Sequence, residues 1–154
     1  MNEAPKSVVI SKEDAVFWMD GNGKWHNEHG RFEHPKIIKY FNGSIQKDDG
    51  GYHLFQIRDG LEEKVYFKYE ETALFAVDLA EKEEIILLLN TGKRIILDPS
   101  CLYEKEDSLY FTWKDHLVKF TDRALFKLSD YLTEQEGELT FSFKDSTWKI
   151  AIRP

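Results

Sequence analysis

The chain has 154 residues, with 21 Lys and Arg against 28 Asp and Glu, a net charge of −7 and a pI near 5.3. An apolar fraction of 42% and an aromatic fraction of 14% exclude a disordered, tail-like protein, and a chain of this mass hides roughly 70% of its extended surface on folding. The acidic balance argues against nucleic acid and anionic membrane surfaces as partners, because no overall positive charge offsets phosphate repulsion; a local basic pocket stays open. A single cysteine, Cys101, forms no internal disulfide and points to the cytoplasm. Residues 1–12 hold no long apolar run, so no signal peptide is expected. The longest apolar run, residues 85–89, falls far short of the ~20 residues a membrane helix needs.

Strand signals dominate in chain order. Residues 15–19 are apolar and stop at Asp20-Gly21-Asn22-Gly23, whose Asp-Gly and Asn-Gly pairs tolerate positive φ; Trp25 and His26 read as the returning strand. Residues 52–57 form a second strand, turned at Arg58-Asp59-Gly60. Val65, Phe67 and Tyr69 alternate with Tyr66 and Lys68, the period of a half-buried strand. Residues 73–79 read as a further strand. Residues 85–89 and 94–97 flank Asn90-Thr91-Gly92-Lys93, and residues 109–113 and 117–120 flank Lys114-Asp115-His116. Residues 139–143 and 148–152 flank Lys144-Asp145-Ser146-Thr147.

Two helices interrupt the strands. Pro35, whose fixed φ suits the first helical position, opens one; Ile37, Ile38, Phe41 and Ile45 share its apolar face, and Asn42-Gly43 ends it. The second has Thr121 as N-cap and Asp122 in its first turn, with Ala124, Leu125, Leu128, Tyr131 and Leu132 as its apolar stripe. Phe120 and Leu125 have the spacing of a hydrophobic staple. A hairpin–helix–hairpin unit is thus read twice, with the 85–97 hairpin between. The expected domains are an N-terminal α+β lobe over residues 1–79 and a C-terminal α+β lobe over residues 80–154, packed together.

Phe17-Trp18-Met19-Asp20-Gly21-Asn22-Gly23-Lys24-Trp25, then Gly30, then Pro35 with an Ile-Ile-x-x-Phe helix, then Asp48-Asp49-Gly50-Gly51-Tyr52-His53-Leu54, resembles the bacterial domain of unknown function numbered twelve eighty-five. The resemblance implies a duplicated α+β core, a C-terminal half with a likeness to pleckstrin-homology folds, a nucleotide-like ligand bound between the halves, and a role in signalling. The chain departs from the family pattern at Leu89-Asn90-Thr91, where the family carries a basic residue before Thr-Asn.

Several constellations invite chemistry. His26, His29 and His34, with Glu28 and Glu33, offer zinc-type ligands, but His26 and His29 point to opposite sides of a regular strand. Asp20-Gly21-Asn22-Gly23 fails as a calcium loop because Lys24 takes a ligand position and Arg31 stands where the bidentate Glu belongs. Thr91-Gly92-Lys93 lacks the earlier glycine of a phosphate loop and reads as a turn with two basic residues able to grip an anion. Ser100 and Cys101 lack a nucleophile elbow. Asp48-Asp49-Gly50-Gly51-Tyr52 lets backbone pass close to a ligand, and its carboxylates suit ribose hydroxyls. Trp18, Trp25, Trp113 and Trp148 sit near turns, where an indole serves either a core or a flat ligand ring.

The sequence therefore points to a non-enzymatic, cytoplasmic, regulatory protein that binds a small anionic, nucleotide-like ligand between two lobes, with Trp25, Asp49, Tyr52, Asn90, Lys93 and Arg94 as contacts. It needs no cofactor and no metal. The alternative is a protein-interaction module that adds a partner strand at an open sheet edge, and behind it a metal-dependent hydrolase built on His26, His29 and His34.

Overall fold

The structure, a computed structural model, describes residues 6–154, so the expectation of no leader over residues 1–12 falls partly outside it. The chain is α+β as expected, with many short strands and two helices grouped into two compact units, Met1–Ala73 and Leu74–Pro154. The division falls at the start of the 73–79 strand rather than at its end. That strand goes with the second unit because both of its sheet neighbours lie there.

The first unit runs β1 (Lys6–Ile10), β2 (Phe17–Met19), β3 (Trp25–Asn27), β4 (Gly30–Arg31), α1 (Pro35–Gly43), β5 (Ile45–Asp48), β6 (Gly51–Arg58) and β7 (Leu61–Tyr66). Strands β2, β3 and β4 make a small antiparallel sheet; β1, β7, β6 and β5 make another in that order, with β1 parallel to β7. Asp20 closes the first hairpin, its carboxylate accepting from the Asn22 and Lys24 amides at 2.8 and 3.0 Å. Helix α1 starts at Pro35 and stops at Gly43, but Ile45 lies beyond it, buried in β5, and no residue of the helix is buried. The core is aromatic. The Trp25 ring meets Phe67 at 4.8 Å and Phe41 at 5.3 Å, edge to face, and its indole N–H donates to Asn42 Oδ1 at 2.7 Å. A buried indole needs such a partner, so the C-terminal end of α1 is tied to the core.

The second unit runs β8 (Leu74–Glu81), β9 (Ile85–Leu89), β10 (Arg94–Ile96), a 3-10 turn at Pro99–Cys101, β11 (Leu102–Lys105), β12 (Ser108–Trp113), β13 (His116–Phe120), α2 (Asp122–Leu128), a 3-10 turn at Ser129–Tyr131, β14 (Leu132–Gln135), β15 (Glu138–Phe143), β16 (Ser146–Lys149) and β17 (Ala151–Ile152). One sheet has the order β10-β9-β8-β13-β12-β11-β17, with β8 parallel to β13 and β11 parallel to β17. The registers place Leu74, Leu87, Leu89, Ile95, Phe111 and Val118 on one face, and all six are buried. The second helix is shorter than its apolar stripe suggests: it ends at Leu128, and Leu132 belongs to β14. The expected 148–152 strand is two strands in different sheets, with buried Ile150 at the crossover.

A three-stranded meander recurs. Ile45 pairs with Leu54, Leu102 with Phe111, and Leu132 with Phe141, in the same register each time. Two-residue turns close both hairpins of each copy. In Asp59-Gly60, Glu106-Asp107 and Glu136-Gly137 both turn residues have positive φ, the backbone that matches strand twist. The sequence shows the unit as hairpin–helix–hairpin; the geometry repeats the meander after α1, after the Pro99–Cys101 turn, and after α2 with its 3-10 turn. Among the described residues no helix is long and apolar enough to cross a membrane.

Candidate anion-binding site

Three of the residues singled out from sequence lie in the first unit. Trp25 is 1% exposed and ringed by aromatic side chains, which leaves no face for a ligand. Tyr52 is buried too, its hydroxyl accepting from Thr72 Oγ1 at 3.5 Å and its ring edge-on to Tyr69 at 5.2 Å. Asp49 is exposed at the turn.

The neighbouring carboxylate organises that turn. Asp48 accepts from Lys64 Nζ at 2.8 Å, from the Tyr66 hydroxyl at 2.8 Å and from the Gly50 amide at 2.9 Å, with His53 Nδ1 3.8 Å away. Alternation puts Lys64 and Tyr66 on one face of β7, and His53 lies directly across from Tyr66. The Lys64 ammonium first, then the Tyr66 hydroxyl, hold the Asp48 carboxyl well below the usual range; partial burial opposes them and the Gly50 amide adds to them. Gly50 is required because a Cβ there would stand 2.8 Å from the Tyr66 ring. A carboxylate so fully engaged is an anchor and not a base. The first hairpin carries a similar knot: His26 Nε2 lies 2.7 Å from Asp20 Oδ2 and the His26 ring stacks on Trp18. Burial raises the Asp20 carboxyl, but the bonds from His26, Lys24 and Asn22 together bring it below its ordinary value. His29 is exposed beside Glu28.

In the second unit Asn90 is structural. Its backbone N–H donates to the Phe75 carbonyl at 2.9 Å, and its side-chain Oδ1 accepts from the Phe75 backbone N–H at 3.0 Å. This clamp fastens the β9–β10 turn to the start of β8. The turn closes through Leu89 N–H to the Lys93 carbonyl at 2.8 Å, with Gly92 at φ +92°. Strand β13 runs parallel to β8, so the β12–β13 tip lies at the same end of the sheet. Lys93 therefore reaches Trp113: its Nζ sits 4.7 Å from the indole centroid. Lys114, held at the tip with φ +53°, places a second ammonium 5.1 Å from the same ring, and His116 stacks on it at 5.3 Å. Arg94 pairs with Leu88 and takes the opposite sheet face from buried Ile95.

Of the sequence candidates, Lys93 and Asn90 thus come together, with Asn90 positioning the turn. Trp113, Lys114 and His116 join them; the sequence offers Trp113 as one of four indoles for a core or a flat ring, and Lys114 and His116 only as turn residues. Two ammonium groups share one half-buried indole in an acidic chain. Exposed cation–π contacts are worth only about 0.5–1 kcal/mol each, so both lysines can be recruited by a stronger partner.

No family model matches the chain, and no curated protein matches it in sequence. Among solved structures it is similar to a DUF1285 family protein from Silicibacter pomeroyi, with 11% identity and a TM-score of 0.61, over 96% of this chain and 83% of that one. It is also similar to a DUF1285 family protein from Shewanella baltica, with 18% identity and a TM-score of 0.52, over 75% of this chain and 91% of that one. At these identities the likeness is one of fold, and the family whose motifs the sequence resembles is the one whose solved members share this fold.

Proposed function

We propose that the protein is a non-enzymatic, regulatory ligand-binding protein of the bacterial cytoplasm, and that its second unit takes a small nucleotide-like anion at Lys93, Trp113 and Lys114. The observation that supports this reading is the pair of ammonium groups at 4.7 and 5.1 Å from one indole. A phosphate accepting charge-assisted hydrogen bonds from both lysines gains about 1.5–3 kcal/mol per bond, and a base stacked on the vacated indole face gains about 1–3 kcal/mol. Together these exceed what the cation–π contacts give up. Cations and a ring supply binding and orientation, not turnover.

Thermal unfolding with adenosine monophosphate and with inorganic phosphate tests this. At about 100 times its Kd a ligand adds ~2.7 kcal/mol to stability. The nucleotide should raise Tm and quench tryptophan emission, and phosphate alone should do so more weakly. Both responses should disappear in Lys93→Ala/Lys114→Ala. No stabilisation at millimolar nucleotide, or the same stabilisation in the double variant, refutes the site.

A further inference from the structure

A groove of about 420 Å³ runs beside α1 in the first unit, within the ~300–1,000 Å³ typical of small-molecule sites. Phe32, Ile37 and Phe41 give it apolar walls, while His29, Arg31 and His34 stand at its rim. The walls are under-covered. No residue of α1 is buried, Ile37 is 46% exposed, and the Phe32 and Phe41 rings meet edge to face at 5.1 Å with the groove open beside them. An amphipathic helix normally hides its apolar stripe; here Phe41 packs on Phe17 and Trp25, while Ile37, on the groove side, is left open. The rim says what kind of group would cover it. Arg31 has no ion-pair partner among the described residues; of the two imidazoles, His29 lies 3.4 Å from Glu28, and Glu33 is the carboxylate that lines the groove itself.

We infer that this groove binds an amphipathic organic anion, with an alkyl or aryl body against Phe32, Ile37 and Phe41 and a carboxylate-type head at Arg31. The two halves of the ligand answer two separate deficits of the surface, exposed apolar area and an unpaired guanidinium. A forked guanidinium accepts a planar carboxylate in two parallel hydrogen bonds, which fixes the head while the body packs without direction. A neutral chain satisfies only the walls, and inorganic phosphate only the rim. The site is independent of the lysines around Trp113, and so is its test.

Decanoate is the probe, followed by amide NMR shifts at Gly30, Arg31 and Ile37. Saturable shifts at these positions, absent with inorganic phosphate at equal concentration, are expected. Ile37→Glu and Arg31→Glu should each weaken decanoate by about fivefold to tenfold, the loss of part of one buried side chain or one charged contact. Ile37 and Arg31 are both exposed, so neither variant threatens folding; an unchanged thermal melt checks this. Shifts that map elsewhere, no saturation, or undiminished binding in either variant overturns the inference.

Discussion

Asp48 shows how one side chain can fix a turn and set an acid limit. Its carboxyl is depressed first by the Lys64 ammonium and then by the Tyr66 hydroxyl, from an ordinary 3.8. A group whose folded value is lowered contributes stability that is complete above the unfolded value and fades as pH falls toward the folded one. The protein should therefore lose stability below about pH 4, and Asp48→Asn should flatten that loss. Urea unfolding midpoints taken at several acid pH values measure it; parallel curves for parent and variant would show that Asp48 carries none of the effect. Sequence made the Asp48–Tyr52 turn conspicuous but favoured Asp49 and Tyr52 over Asp48. The reason is that Lys64 and Tyr66 arrive from a strand whose register the turn itself does not encode. Trp25 misled in the same way. Composition marks an indole as valuable, and only packing shows that Phe41, Phe67 and Asn42 have already claimed it.

Among the elements, α2 was the most legible. Thr121 accepts from the Ala124 amide at 3.3 Å as an N-cap should, Asp122 lies in the first turn, and Lys127 in the last reaches Asp78 on β8. Thr121 Oγ1 also donates to the Ala76 carbonyl at 3.2 Å, so the cap is joined to the sheet. Thr121→Ala should cost about 1 kcal/mol, or slightly more for the lost sheet contact, with Thr121→Ser restoring most of it. The denaturant midpoint reads both variants, and an unshifted midpoint in Thr121→Ala would show that the cap is idle. The hairpins at residues 20–23, 59–60, 90–93, 114–115 and 144–145 were legible from turn residues alone. The short strands β1, β5, β11 and β14 were not, because their burial pattern is set by partners and not by their own alternation. The split at Ile150 was hidden for the same reason: Trp148, Ile150 and Ile152 look like one alternating strand until residues 146–149 pair with β15 and residues 151–152 with β11.

For the whole molecule, the net charge of −7 governs encounters at long range while the lysines near Trp113 act only at close quarters. The protein should flow through heparin at about 0.15 M salt, where the Debye length is ~8 Å, and bind an anion exchanger; retention on heparin would mean that local basic surface overrides the total. The α+β class and the two-unit organisation were visible in the alternation of hairpins and helices. The sheet order was not, since nothing local announces that β8 lies between β9 and β13, and it is this order that brings Lys93 to Trp113. The parallel pairings also have a kinetic consequence. Each meander closes through two-residue turns and forms from near neighbours, whereas β8 must wait for β13 and β11 for β17. Because β17 is Ala151–Ile152, the seven-stranded sheet stays one strand short until these two residues have left the ribosome exit tunnel. A nascent chain paused before that point holds every meander yet presents the open backbone of β11, so the emergence of β17, and not any helix or turn, sets when that edge is closed.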